Sequence, residues 1–153
     1  MSITPIGGAA PISVALGTVF DSLASDGNAS TAAIDNTVAG TNNNGHAAAQ
    51  EAELWLVLGS AITTGSGAPY LAATVVDQLD GTNYETSGVF GGVPFPLTNT
   101  ATEPLPPATT MNTAKVRFPV RACVFQVMLY NASGAAFPAT VTATLFLLPA
   151  GAG

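Results

Sequence analysis

Hydrophobic and polar residues alternate in short segments of this chain, which is the pattern of β-strands with one buried face. The alternation is most regular in residues 124–130, where Phe125, Val127 and Leu129 can share one face. It recurs in residues 140–148, where valine, alanine and leucine alternate with threonine. β-Branched residues fit a pleated surface. Both segments are therefore predicted to be strands.

Residues 114–121 repeat the alternation around a proline. Val116, Phe118 and Val120 can share one face, while Pro119 has no N–H to donate to a neighbouring strand. This strand is therefore predicted to lie at a sheet edge or to contain a bulge. Less regular alternation predicts further strands in residues 13–20, 30–38 and 70–76.

Residues 47–58 fit a helix as well as a strand, because alanine, glutamine, glutamate and leucine are good helix formers. We predict a strand for the second half, since Glu51, Glu53 and Trp55 fall on one face of an extended chain. The opposite face is then entirely apolar. It consists of Ala52, Leu54, Leu56 and Leu58.

The 16 glycines and 11 prolines occur in short clusters between these segments and leave little room for long helices. Residues 40–45 are predicted to form a loop. Residues 77–112 also read as a connection, and one of that length either has a function or contains a strand that the pattern does not show. About seven short strands without alternating helices predict an all-β fold, an antiparallel β-sandwich of the jelly-roll type.

The chain is predicted to form one domain, residues 13–153, preceded by an N-terminal extension, residues 1–12. Ile3, Pro5 and Ile6 make the extension apolar, and two glycines follow them. A short apolar tail of this kind gains little by folding alone. We therefore predict that the extension lies over a partner protein.

Charged residues make up only 8% of the chain, whereas soluble domains average about 25%. The outer faces must therefore consist largely of neutral side chains, which tolerate close contact with a neighbouring molecule. Only Lys115, Arg117 and Arg121 are basic and the net charge is -6. Nucleic-acid binding needs several clustered cations, so a nucleic-acid partner is not expected.

No secretory or membrane-spanning segment is expected. The first residues lack the basic and apolar regions of a signal peptide, and no apolar run approaches 18 residues. The expectation is a protein made in the cytoplasm that has no membrane partner.

Few side chains could carry catalysis. His46 is the one histidine and lies among asparagine and glycine residues, which favours a solvated loop. Cys123 is the one cysteine and has no nearby base in the sequence, so it is interpreted as a core residue. We expect no enzyme activity, no catalytic, cofactor-binding or metal-binding residues, and no cofactor.

The densest group of oxygen ligands is Asp77, Asp80, Asn83 and Glu85. Calcium requires six to eight oxygen ligands, and this group could supply some of them. The spacing differs from an EF-hand, which has no leucine at its third position and ends on a glutamate at its twelfth. A turn built on Asp80-Gly81 is the favoured interpretation, and calcium binding stays open.

Four short strings occur in an order that resembles a group of small bacteriophage virion proteins. They are Asp35-Asn36, Leu58-Gly59-Ser60, the turn string Asp80-Gly81-Thr82-Asn83-Tyr84 and the hairpin string Leu129-Tyr130-Asn131-Ala132-Ser133-Gly134. The resemblance covers residues 30–148, and the proline-rich residues 102–109 have no counterpart in it. It implies a capsid-associated β-sandwich, often a trimer on the outer shell, without catalytic residues.

The resulting hypothesis is a capsid decoration (cement) protein of the virion, which binds the major capsid protein and further copies of itself. Two alternatives are another virion protein, such as a head or tail fibre, and a carbohydrate-binding β-sandwich. The carbohydrate alternative would use Trp55 or the tyrosines as stacking platforms. Because Trp55 lies within an apolar run, however, core packing is the favoured interpretation of its position.

Overall fold

The structure is a computed structural model that describes residues 11–38, 47–78, 81–84 and 100–149, and the backbone alone of 88–90 and 93–95. This part of the chain forms strands and turns without helices, and it holds no helix that could cross a membrane. The strands are β1 (Ile12–Ala15), β2 (Asn28–Ser30), β3 (Ile34–Asp35), β4 (Ala49–Thr63), β5 (Tyr70–Gln78), β6 (Gly88–Phe90), β7 (Val93–Phe95), β8 (Thr100–Pro104), β9 (Thr110–Pro119), β10 (Val124–Ala132) and β11 (Val141–Pro149).

Two antiparallel sheets pack face to face. The first has the strand order β1-β11-β4-β9, and the second has the order β2-β10-β5-β8, with β3 also paired to β10. The hairpin of β6 and β7 is separate. The main pairs are nested, because β1 joins β11, β2 joins β10, β4 joins β9 and β5 joins β8. A long hairpin rolled up in this way is a jelly roll, so the predicted fold class is confirmed.

The core consists of the inward side chains of both sheets. Phe125, Val127 and Leu129 of β10 are fully buried, as the alternation predicts. The apolar faces predicted for β4, β9 and β11 are buried as well. Each large side chain removed from water in this way stabilises the fold by about 1.5–3 kcal/mol. The largest side chains in this core are Phe20, Phe118, Phe125, Ile34, Leu54, Leu56, Leu71, Leu129, Leu145 and Leu147.

Strand β9 is an edge strand, as Pro119 predicts. Pro119 is its last residue and stands opposite Glu51 of β4. A proline is tolerated at an edge because its missing N–H can face solvent. The sequence prediction for residues 114–121 is therefore confirmed.

Several predicted boundaries are wrong. The connection predicted for residues 77–112 contains the end of β5, all of β8 and the start of β9, besides the β6–β7 hairpin. The sequence does not predict β8, because it is an edge strand with mostly exposed residues and little apolar alternation. Residues 13–20 form a strand only as far as Ala15, since a turn with Gly17 at φ 64° follows. Residues 30–38 contain only the short β3 and the end of β2.

The strand predicted in the second half of residues 47–58 is confirmed and is longer than expected. Strand β4 continues to Thr63, with a register shift against β9 between Val57 and Ile62. The loop predicted at 40–45 lies outside the described residues, as do residues 1–10 of the predicted extension. Strand β1 begins at Ile12.

A buried asparagine links three segments at one end of the sandwich. The side-chain Nδ2 of Asn36 donates to the carbonyls of Ala49 at 2.9 Å and of Arg121 at 2.6 Å. Its oxygen accepts the N–H of Ala49 at 2.9 Å. The side chain is fully buried, so these bonds replace those that water would otherwise make. Asn36 thereby ties the end of β3 to β4 and to the β9–β10 connection.

The string Asn131-Ala132-Ser133-Gly134 ends β10 and begins the predicted turn, since Ala132 is the last residue of the strand and Ser133 and Gly134 lie in the bend after it. The side-chain Nδ2 of Asn131 donates to the carbonyls of Leu23, Ala24 and Ala135. Gly134 adopts a φ of 86°, where glycine is unstrained. The residue types of this string thus have a structural explanation.

Candidate interaction surfaces

The outer face of the first sheet exposes an aromatic side chain. Strand alternation turns Trp55 and Val57 away from the core, and each is 47% exposed. The interpretation of Trp55 as a core residue is therefore wrong, because the apolar run of β4 supplies both faces of the strand. We call this surface the Trp55 face. It comprises Glu51, Glu53, Trp55, Val57, Lys115, Arg117, Thr142, Thr144, Phe146 and Leu148.

Neighbouring side chains hold the Trp55 ring in one orientation. Phe146 packs edge-on against it, with 5.5 Å between the ring centroids and 69° between the planes. The Lys115 ammonium lies 5.8 Å from the ring centroid, within cation–π range. The indole N–H donates to a carboxylate oxygen of Glu53. About half of the Trp55 residue nevertheless remains exposed to solvent.

Two grooves of about 480 Å³ each border Trp55. The Pro104 groove lies on one side, between Val57 and the segment Pro104 to Pro106. The Pro11 groove lies on the other side. It is lined by Pro11, Glu53, Trp55, Arg117, Phe146 and Leu148, and most of its surface is apolar.

On the outer face of the second sheet, β10, β5 and β8 carry no acidic or basic side chain, while Asp35 of β3 stands opposite Val124 at the margin of this face. We call this surface the neutral face. It consists of Tyr70, Ala72, Thr74, Val76, Gln78, Thr100, Thr102, Val124, Gln126, Met128, Tyr130 and Ala132. Most of these side chains are half-buried, while Ala72 and Thr74 are buried.

Two tyrosines lie at one end of the neutral face. The rings of Tyr70 and Tyr130 are 6.2 Å apart, and the Tyr130 hydroxyl donates to Asp26 at 3.3 Å. Desolvation, and then the Asp26 carboxylate, raise the pKa of Tyr130, so this ring stays neutral at physiological pH. The pair places two aromatic rings at this end of the neutral face.

Asp77 is a buried strand residue, whereas the sequence prediction placed it at the start of a connection. It belongs to β5 and is 1% exposed. Its Oδ2 lies 3.3 Å from the Arg121 guanidinium, and its Oδ1 has no hydrogen-bond partner among the described residues. Burial next to a cation explains why a carboxylate is tolerated in this position.

Of the predicted Asp80-Gly81 turn, the structure describes the part from Gly81 onward. Gly81 adopts a φ of 76°, and the Gln78 side chain donates to the Thr82 carbonyl at 3.0 Å. Within the described residues no group of three or more histidine, cysteine, aspartate or glutamate side chains could hold a metal. Asp80 and Glu85 of the predicted ligand group lie outside them.

Cys123 is half-buried beside Asp77, so its interpretation as a core residue is only partly right. Burial, followed by the Asp77 carboxylate, raises the pKa of the Cys123 thiol to about 11. The thiol is therefore protonated at neutral pH, which is the opposite of an activated nucleophile. His46 lies outside the described residues.

We expect iodoacetamide to modify Cys123 about tenfold more slowly at pH 8 than it modifies an exposed cysteine. A pKa two units higher leaves about 100-fold less thiolate at this pH. The thiolate of a higher-pKa thiol is more nucleophilic, which restores about tenfold of the lost rate. The reference is Ser66→Cys in a Cys123→Ser background, because Ser66 is exposed. Asp77→Asn should speed the reaction of Cys123, since it removes a charge that raises the pKa. Equal rates for Cys123 and the reference would contradict the assignment.

No protein-family model and no curated protein matches this chain. Among solved structures, it is similar to the CBM22-1–GH10 modules of Clostridium thermocellum endo-1,4-β-D-xylanase 10B in complex with xylohexaose. The alignment covers 85% of this chain and 28% of that one, with 12% identity and a TM-score of 0.37. This chain thus spans less than a third of the xylanase polypeptide, and a likeness this remote says nothing about what it binds.

Proposed function

We propose that the protein is a non-catalytic bacteriophage virion protein that decorates the capsid and stabilises it by binding the major capsid protein. The observation that supports this proposal is the neutral face, which spans three strands without an acidic or basic side chain. The resemblance of the turn strings to small virion proteins points to the same class of partner.

A neutral face suits docking because burying an unpaired charge costs far more than burying apolar side chains or hydrogen-bonded neutral polar groups. The chain carries a net charge of -6. The neutral face is therefore where a large partner can approach with the least desolvation. Tyrosine and methionine are enriched at protein interfaces, and Met128 and Tyr130 lie outward on the central strand β10.

Binding of many copies to the repeated subunits of a capsid would strengthen a contact that is modest for a single copy. A standard interface covers about 800 Å² on each partner. When several copies act together, each further contact forms at a high effective concentration. The homotrimer implied by the resemblance would provide this gain, and the capsid would be stabilised because one oligomer bridges several subunits.

Met128→Lys is expected to weaken binding to capsids by about 100-fold or more, because it places an unpaired ammonium in the buried contact. The measurement is cosedimentation of the purified protein with capsids of its phage that lack it. The matched control is Thr142→Lys, which adds the same charge on the exposed Trp55 face. If Met128→Lys binds like the unchanged protein, or if only Thr142→Lys fails to bind, the neutral face is not the docking surface.

Carbohydrate binding is a second candidate, favoured by the half-exposed indole of Trp55. Aromatic rings provide apolar platforms for ligands, and Glu53, Lys115 and Arg117 beside the ring offer hydrogen-bonding groups. A glycan array with the isolated protein tests this function. Glycan binding that Trp55→Ala abolishes, with capsid binding unchanged, would establish it at this site.

A further inference from the structure

We infer that two copies of this chain pair through strand β1, antiparallel to each other, so that the first sheets of both copies join into one. Strand β1 is an edge strand, and β11 is its one neighbour among the described strands. It pairs with β11 along its whole length. The other side of β1 is therefore open to a further strand.

The backbone groups on the open side of β1 belong to Ser13 and Ala15. The N–H of Leu16 donates to the Ala143 carbonyl beside β11 at 3.0 Å. Because hydrogen-bonded residues alternate along an antiparallel pair, every second residue before Leu16 also turns its N–H and C=O groups toward β11. Ser13 and Ala15 turn theirs away from the sheet. Both residues are exposed, so these groups can bind a second strand.

The opposite side of the sandwich is protected against strand pairing, whereas the β1 side is not. Strands β8 and β9 form the edges of the opposite side and lie beside each other. Charged residues and prolines deter pairing at an edge. Strand β9 carries Lys115, Arg117 and Pro119, and β8 carries Glu103 and Pro104. The edge strands of the β1 side, β1 and β2, contain neither a charged residue nor a proline.

The core is also incompletely covered on the β1 side. Ile12 and Val14 of β1 and Ala29 of β2 point inward, since they stand opposite fully buried leucines of β11 and β10. All three nevertheless remain half-buried. Edge pairing sets the same apolar side chains of a second copy beside this flank, which removes further apolar surface from water.

A two-fold axis at Val14 would satisfy the backbone groups on the open side of β1. It places Ser13 of each copy opposite Ala15 of the other, and each of these two pairs exchanges two hydrogen bonds. Val14 then faces Val14 of the second copy in a non-hydrogen-bonded pair, in which β-branched side chains contact each other closely. Each copy thus offers the same patch, as a two-fold contact requires.

This inference does not rest on the proposed capsid function, because β1 belongs to the first sheet and the neutral face to the second. The axis is perpendicular to the sheets, so the neutral faces of both copies point in the same direction. A pair could therefore bind one capsid through both. The contact produces a dimer, whereas the resemblance implies a trimer, so the number of copies distinguishes the two arrangements.

Sedimentation velocity of the purified full chain tests the pairing. Since one short strand makes the contact, we expect a reversible dimer with a Kd of about 1–100 µM. Ala15→Pro should raise this Kd about tenfold or more, because it removes two of the four hydrogen bonds between the copies. The Ala15 N–H points away from β11, so a proline is tolerated there within the fold.

Thr102→Pro is the matched control for this variant. Leu105 of the β8 edge donates to the Pro69 carbonyl, so the N–H of Thr102 points away from its sheet as that of Ala15 does. The control should leave the Kd unchanged, because β8 lies on the protected side. Far-ultraviolet circular dichroism checks that both proline variants are folded.

Disulfide cross-linking in a Cys123→Ser background tests the register. Val14→Cys should cross-link two copies on oxidation, because residues of a non-hydrogen-bonded pair have Cα atoms about 4.5 Å apart. Ser13→Cys is the control, since the two Ser13 positions lie diagonally and about 7–8 Å apart. Its cross-linking should be slower. Random collision would favour the exposed Ser13→Cys instead.

Three results would overturn the inference. A chain that stays monomeric up to millimolar concentration would show that β1 does not pair. A trimer, or a dimer that Ala15→Pro leaves unchanged, would place the contact elsewhere. Faster cross-linking of Ser13→Cys than of Val14→Cys would contradict the register. None of these measurements uses capsids, so their outcome is separate from that of the Met128→Lys experiment.

Discussion

Asn36→Ala is expected to lower the free energy of unfolding by about 3 kcal/mol, because a buried amide that joins three segments is lost. The variant leaves the N–H and carbonyl of Ala49 without their side-chain partner, and it frees the Arg121 carbonyl from a 2.6 Å bond. With a urea m-value of about 2 kcal/mol/M, the unfolding midpoint should fall by about 1.5 M.

The control for this prediction is Asn28→Ala. Asn28 is an exposed asparagine in β2, so its replacement should change the free energy of unfolding by less than about 0.5 kcal/mol. Similar midpoints for the two variants would show that the buried amide does not join the segments as described.

Gly134→Ala is expected to lower the free energy of unfolding by about 3 kcal/mol, in two parts. A φ of 86° costs a residue with a Cβ about 1–2 kcal/mol. The new Cβ would also lie 2.7 Å from the nitrogen and 2.8 Å from the Cα of Gly65, closer than real contacts allow. Gly65 cannot easily move, because its N–H bonds to Ser133 and its carbonyl accepts from Ala108. Urea unfolding measures the loss.

Gly17→Ala separates the two parts of this effect. Gly17 has a φ of 64° and no atom within 4 Å of an added Cβ, so only the backbone cost of about 1–2 kcal/mol applies. Equal losses for Gly134→Ala and Gly17→Ala would mean that the close approach to Gly65 contributes nothing.

The two outer faces of the sandwich differ in charge. Lys115 and Arg117 lie on the Trp55 face together with Glu51 and Glu53, and Arg117 forms an exposed ion pair with Glu51. Exposed pairs of this kind contribute less than about 1 kcal/mol to stability. By contrast, β10, β5 and β8 present no acidic or basic side chain on the neutral face.

The burial of Trp55 was predicted wrongly from the sequence. Alternation correctly placed it on the same face as Glu51 and Glu53, but its apolar neighbours suggested the core. The apolar run contains residues of both faces, and Val57 is exposed like Trp55. Period-two alternation reports which residues share a face, whereas only packing shows which face is covered.

Alternation in the amino-acid sequence by itself determined the strands β4, β9, β10 and β11, their inward faces and the all-β class. Local sequence carries this information because neighbouring side chains point to opposite sides of a strand. The sequence also indicated the edge position of β9, since Pro119 lacks an N–H.

Only the tertiary structure decided which distant segments meet. Asn36 bonds to a carbonyl 85 residues away, and Gly134 touches Gly65 across the sandwich. Asp77 was predicted to lie in a connection, but it is a buried residue of β5 that pairs with Arg121. The separation of a neutral face from a charged one likewise arises from strand order. Such contacts depend on how the strands are arranged in space, and local alternation contains no information about that arrangement.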